Sequence, residues 1–188
     1  MQKIYFHHAC LVTTNELIDP GYLYVQDGRI MEYGPGEILV SEDTLKVDLK
    51  GRYLSPGFID LHVHGGGGHD FMDGTLEAFL GVARTHVRYG TTAMCPTSLT
   101  GDTASIYSVL DQYAQALKQN TMGSEFLGIH LEGPYLAMSQ RGAQDPKYIR
   151  DPLPEEYRDI LAHSPHIIRW SAAPEHWTLL ITCKPMES

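Results

Sequence analysis

The residues best placed to do chemistry lie in one short stretch, Phe58-Ile-Asp-Leu-His-Val-His64, which reads as a short buried strand where Asp60, His62 and His64 alternate with apolar neighbours. Successive side chains of a strand point to opposite faces, so these three would project from the same side. Two imidazoles and a carboxylate, followed by the glycine run Gly65–Gly68, make a donor set suited to zinc, Fe(II) or nickel. A single strand histidine is more often a core residue with a hydrogen-bond partner. The pair, the carboxylate and the open glycine backbone together favour a metal. Asp60 could orient a histidine from behind or face solvent. His69 and Asp70, just past the glycines, read as polar loop residues.

Glu132 is the second candidate. It follows the apolar run Glu125–Leu131 (EFLGIHL) and precedes Gly133-Pro134, which directs the chain away from the strand end. Alone it reads equally well as a turn glutamate; beside a His-x-His strand a metal-ligand role is favoured. His130 shares its face and could be a ligand, a support or core, with the last two preferred. A metal with open positions would acidify water and polarise a carbonyl. The water then needs a base and the leaving group an acid, and no compelling proton shuttle is visible at the other strand ends. Thr97 and Ser98 could bond a substrate or merely cap. The loop Gln140–Pro146 offers an amide, Arg141 and backbone donors around Gly142, or is an ordinary polar connection.

Elements that could position these groups are legible in the pattern. The first fifty-five or so residues hold short β-prone runs, Lys3–Phe6, Tyr22–Gln26 and Arg29–Tyr33, with Asp27-Gly28 as a two-residue hairpin turn. Ser41–Lys50 and Gly51–Leu54 add extended pieces. Residues 1–55 are therefore expected to form a small β unit. Beyond Pro56 the texture changes. Thr75–Tyr89 is expected as an amphipathic helix capped by Thr75 and ended by Gly90, and Thr91–Leu99 as a strand. Asp102–Gln119 is expected as a helix with Ile106, Val109, Leu110, Tyr113, Ala114 and Leu117 on one face. Glu125–Leu131 is expected as a strand, Pro154–His163 as a helix and Ile167–Ala173 as a strand closed by Pro174-Glu175. A fourth helix should begin in Trp177–Ser188. Strand and helix alternate about four times, which implies parallel βαβ units with His62, His64, Thr97, Ser98, Glu132 and Glu175 at strand C-terminal ends. The fold class is α/β. A complete (β/α)8 barrel takes about 250 residues, so residues 56–188 are expected to hold about its first half.

Composition narrows the functions. The chain has 188 residues, 43% hydrophobic and 20% charged, with net charge −9 and pI near 5.5. That balance argues against nucleic-acid binding and anionic membranes, while local donors could still bind an anionic substrate. Three widely spaced cysteines suggest free thiols, and the start lacks a signal-peptide pattern, so a cytoplasmic protein is expected. Nothing resembles a phosphate loop, a nucleophile elbow or a Cys-x-x-Cys pair.

In order along the chain, PGFIDLHVHGGGGHDFMDGT, GTTAMCPTSLT, GIHLEGPYL, RGAQDP and AAPE resemble the first half of the N-acetylglucosamine-6-phosphate deacetylase family of the amidohydrolase superfamily. The resemblance runs from Ser55 to Glu175, and the preceding β unit is similar to that family's β-sandwich. It implies metal-dependent hydrolysis of the acetamide of N-acetylglucosamine 6-phosphate to glucosamine 6-phosphate and acetate. It implies Glu132, His62 and His64 as ligands of one or two divalent ions, zinc or iron. Ala143 and Gln144 are implied as contacts to the sugar phosphate, although many members carry His where Gln144 stands. A homodimer is implied, the neighbouring subunit helping to bind phosphate. Two further metal histidines and the catalytic aspartate are implied on later strands outside this chain, so no catalytic residue is assigned within it. The isolated chain is expected to lack substantial deacetylase activity; a non-catalytic truncated product or assembly partner is one alternative reading. Another amidohydrolase, dihydroorotase-like or a deaminase, is the alternative that HLEGP argues against.

Overall fold

The structure, a computed structural model, describes residues 2–176. The chain divides into two compact units, Met1–Pro56 and Gly57–Ser188.

The first unit is a sheet of strands β1 (Lys3–Val12), β2 (Leu17–Gln26), β3 (Arg29–Pro35), β4 (Leu45–Asp48) and β5 (Tyr53–Leu54). The order is β3-β2-β1-β4, with β5 also on β1. β2 and β3 are antiparallel, with Gln26 opposite Arg29. Asp27 and Gly28 between them have φ of 50° and 77°, the paired positive values of a type I′ turn. Tyr5, Ala9, Cys10, Leu11 and Tyr22 are buried in this unit.

The second unit contains β6 (Phe58–Val63), the small antiparallel pair β7 (Gly65–Gly66) and β8 (His69–Asp70), α1 (Leu76–Val87), β9 (Thr91–Pro96), α2 (Thr103–Gln119), β10 (Glu125–Phe126), β11 (Ile129–Glu132), α3 (Pro154–His163) and β12 (Ile167–Ser171). β6 pairs in parallel with β9, and β11 with β12. A parallel bridge from Thr97 to His130 links the end of β9 to β11. The parallel strands thus follow one another as neighbours, each pair separated in sequence by a helix. α1 is capped by Thr75, whose hydroxyl accepts from the Ala78 N–H, and α2 by Asp102, which accepts from the Ser105 N–H. Phe79, Val82, Ile106, Leu110 and Tyr113 from the helices meet Met94, Phe126, Ile129 and Leu131 from the strands in one buried cluster. Burying a side chain such as Phe79 stabilises the fold by roughly 1.5–3 kcal/mol.

Three expectations need correction. The single strand over Glu125–Leu131 is two strands. β10 pairs with β9, Gly128 turns at φ 149°, and β11 pairs with β12. The buried face of α2 includes Ala116, while Leu117 is exposed. The strand carrying His62 is not buried along its length: Phe58, Ile59 and Leu61 are 69%, 62% and 52% exposed and only Val63 is buried. Among the described residues β6 has a partner strand on its β9 side alone. The fourth helix expected in Trp177–Ser188 lies outside the described residues.

Candidate metal centre

β6 ends on His62 and Val63, and His64 follows at the mouth of the parallel strands. His64 Nδ1 lies 3.2 Å from the Thr97 carbonyl. A carbonyl only accepts, so Nδ1 carries a ring proton, and in the neutral ring Nε2 presents the lone pair. Thr97 is itself fixed. Its N–H donates to Val63 O at 2.9 Å, and its hydroxyl donates to Cys95 O while accepting from the Val63 N–H. The carbonyl that orients His64 is therefore part of the sheet.

β11 delivers Glu132 to the same place. His62 Nε2 and His64 Nε2 are 3.0 Å apart, and Glu132 Oε2 is 3.5 Å from the first and 3.2 Å from the second. The lone pair of His64 thus faces a carboxylate oxygen, two acceptors that repel unless a proton or cation lies between them. Two ligands about 2.05 Å from a tetrahedral zinc stand about 3.3 Å apart. The triangle formed by these three atoms has edges close to that value, so the donor set fits a small divalent ion.

Glu132 is held from behind. Gln144 is only 8% exposed; its Nε2 donates to Glu132 Oε2 at 2.9 Å and its Oε1 accepts the Thr100 N–H at 2.8 Å. Glu132 N–H donates to Ser98 Oγ at 3.3 Å. The next residue must be glycine. Gly133 has φ 76°, and a Cβ there would lie 2.1 Å from Thr100 Oγ1. Trp170 Nε1–H caps the Gly133 carbonyl at 2.8 Å.

His130 is fully buried and its ring meets that of His62 edge to face, with centroids 4.9 Å apart. Its Nε2 lies 2.8 Å from Ser171 Oγ. Burial, then the positive Arg169 and the neighbouring His62, push its pKa down to about 4. It is a neutral ring supporting His62 from behind.

The remaining candidates fall outside the cluster. Asp60 accepts the backbone N–H of His62 at 3.0 Å. His69 pairs within β8, and Asp70 caps the short turn Phe71–Asp73, so both are structural. Glu175 is exposed in the turn Pro174–His176. Arg141 closes its own loop by donating to Gln144 O at 2.8 Å, and Ala143 is exposed beside it. The link from Gln144 and Thr100 to Glu132, and the Ser171 partner of His130, had no signal in local spacing.

The model of the amidohydrolase family matches residues 53–181. The chain is 32% identical over 166 residues to the N-acetylgalactosamine-6-phosphate deacetylase of Escherichia coli O157:H7, covering 88% of this chain and 42% of that protein. It is 34% identical over 155 residues to the N-acetylglucosamine-6-phosphate deacetylase of Bacillus subtilis, covering 79% and 38%. The crystal structure of N-acetylglucosamine-6-phosphate deacetylase from Pasteurella multocida superposes with a TM-score of 0.83 at 29% identity, over 93% of this chain and 45% of that one. The chain spans less than half the length of these relatives. Over that span its α/β architecture is part of the (β/α)8 hydrolase barrel, with the small β unit ahead of it. With the family model matched across most of its length and the candidate ligands at its strand ends, the chain belongs to the amidohydrolase family.

Proposed function

We propose that this chain forms the ligand-bearing wall of a hydrolase that removes the acetyl group of N-acetylglucosamine 6-phosphate, giving glucosamine 6-phosphate and acetate. The observation that carries the reading is the convergence of His62, His64 and Glu132 at adjoining strand ends. Two imidazoles and a carboxylate suit zinc or iron, and such an ion supplies Lewis acidity toward a carbonyl and a lowered pKa for water.

The protein's own residues preorganise that wall. The Thr97 carbonyl sets the His64 tautomer, His130 backs His62, and Gln144 and Ser98 fix Glu132. Ala143, exposed on the loop that carries Gln144, is assigned with Gln144 to the sugar-phosphate end of the site. A homodimer fits the reading, because a chain of net charge −9 gains from donors on a second subunit when it binds a phosphate.

Cleaving the amide C–N bond requires a proton for the departing nitrogen. All three titratable groups of the cluster serve as ligands in this reading. The 188-residue chain alone is therefore assigned metal binding without substantial turnover.

A chimera tests the proposal. Residues 57–176 replace the matching stretch of the Bacillus subtilis deacetylase, and acetate release is measured from N-acetylglucosamine 6-phosphate and N-acetylgalactosamine 6-phosphate. Activity on the glucosamine compound that Glu132→Ala abolishes is expected. A folded, metal-loaded chimera that releases acetate from neither sugar, or only from the galactosamine compound, overturns it.

A further inference from the structure

The first unit carries a second cluster that the deacetylase reading does not use. His7 and His8 are consecutive in β1, so in a regular strand their side chains would point to opposite faces. They do not. The β1–β2 register shifts between Phe6 and Ala9, and His8 sits at φ 51°, a left-handed conformation uncommon for a residue with a side chain. This bulge brings the two rings within 4.4 Å, centroid to centroid.

Asp48 is the direct neighbour of His7 across the parallel β1–β4 pair. Its Oδ1 lies 2.9 Å from His8 Nδ1, and one ligand atom from each of His7, His8 and Asp48 lies within 4.8 Å of the others. The far side of the His8 ring is occupied too, with Nε2 2.6 Å from Glu37 Oε1. A carboxylate accepting the outer N–H of an imidazole fixes the tautomer that leaves the inner nitrogen free for a metal. The backbone locks the arrangement, because Leu49 N–H donates to His7 O and Gly51 N–H to His8 O, at 2.9 and 2.7 Å. The Tyr5 ring stacks on His7 with planes 7° apart.

We propose that His7, His8 and Asp48 form a second metal site, oriented by Glu37, for a divalent transition ion of the zinc, nickel or copper class. Two imidazoles and one carboxylate select such ions over magnesium and calcium, which prefer oxygen donors. The site stands independently of the deacetylase reading, since no residue is shared with the His62–His64–Glu132 cluster. The bound ion would join β1, β4 and the segment carrying Glu37.

The test uses the untagged chain with His62→Ala, His64→Ala and Glu132→Ala, which removes the first cluster. Copper(II) is added and followed by calorimetry and electron paramagnetic resonance. One bound equivalent with imidazole nitrogen couplings is expected. Adding His8→Asn, chosen because asparagine tolerates the left-handed backbone, or Asp48→Asn should weaken binding at least 10-fold. Glu37→Gln should weaken it about 10-fold while leaving the couplings in place. The proposal is overturned by absence of stoichiometric copper in the background protein, which would leave His8 merely clamped between two carboxylates. It is equally overturned if binding survives His7→Asn, His8→Asn and Asp48→Asn unchanged. Circular dichroism identifies any variant that fails to fold, and Glu37→Gln then still decides the outcome.

Discussion

Gln144 is the side chain on which the placement of Glu132 turns. Its amide joins the Thr100 N–H to Glu132 Oε2, the carboxylate oxygen that faces His62 and His64. Partners behind a metal ligand typically change affinity 10–100-fold when lost. Gln144→Leu, similar in size but without hydrogen bonds, should therefore weaken zinc binding at the His62–His64–Glu132 cluster by about 10–100-fold in a chelator competition. It should also cost about 1–3 kcal/mol of stability in urea unfolding, because a buried N–H loses its acceptor. Zinc affinity unchanged by Gln144→Leu would show that Glu132 needs no such support. His62, His64 and Glu132 were legible in the sequence because strand alternation and a strand end dictate where a side chain points. The support that Gln144 gives Glu132 was not, since their bond closes across 12 residues of irregular chain with no period to betray it.

At the level of the elements, regular helices and turns were read more easily than the sheet. The cap at Thr75 and the positive-φ pair Asp27-Gly28 are local chemistry, decided by a few adjacent residues. The split between β10 and β11 is not local. Nothing in EFLGIHL announces that Phe126 will pair with Met94 while Ile129 turns to Ile167. The exposed apolar side of β6 was illegible for the same reason, because pairing partners are decided across the sheet. The exit from β11 offers a test at this scale. Gly133 is required twice over, by its left-handed backbone and by the 2.1 Å approach that a Cβ would make to Thr100 Oγ1. Left-handed strain costs about 1–2 kcal/mol and steric overlap about 1–3 kcal/mol more. Gly133→Ala should therefore lose at least about 2 kcal/mol of stability and weaken metal binding by displacing Glu132. Gly142→Ala, also at positive φ but with open space around its Cβ position, should lose less.

Across the whole second unit, one carboxylate ties together segments that are remote in sequence. Glu156, in the first turn of α3, accepts from Thr103 at the start of α2, from Tyr135 beyond β11, and from Arg150 in the loop between. The Arg150 guanidinium also donates to the Gly101 carbonyl at 3.0 Å. The Arg150 hydrogen bond, opposed by burial and aided by those of Thr103 and Tyr135, holds the Glu156 carboxyl below its usual range. Because its folded pKa is depressed, the unfolded chain takes up the proton first as pH falls. The contribution of Glu156 is thus fully present above the ordinary glutamate value and is lost as pH falls through the lower folded value. Glu156→Gln keeps the shape but removes the charge, and should cost about 1.5–3 kcal/mol at pH 7, the range for hydrogen bonds to a charged group. Its stability curve should then approach that of the parent chain as pH falls below the ordinary glutamate value and through the lower folded one, where the parent carboxylate takes up its proton. Urea unfolding from pH 7 to pH 3, with Tyr135→Phe as a variant that removes one bond and no charge, separates the two effects. Parallel curves for Glu156→Gln and the parent at every pH would show that the charge of Glu156 does not hold these segments together.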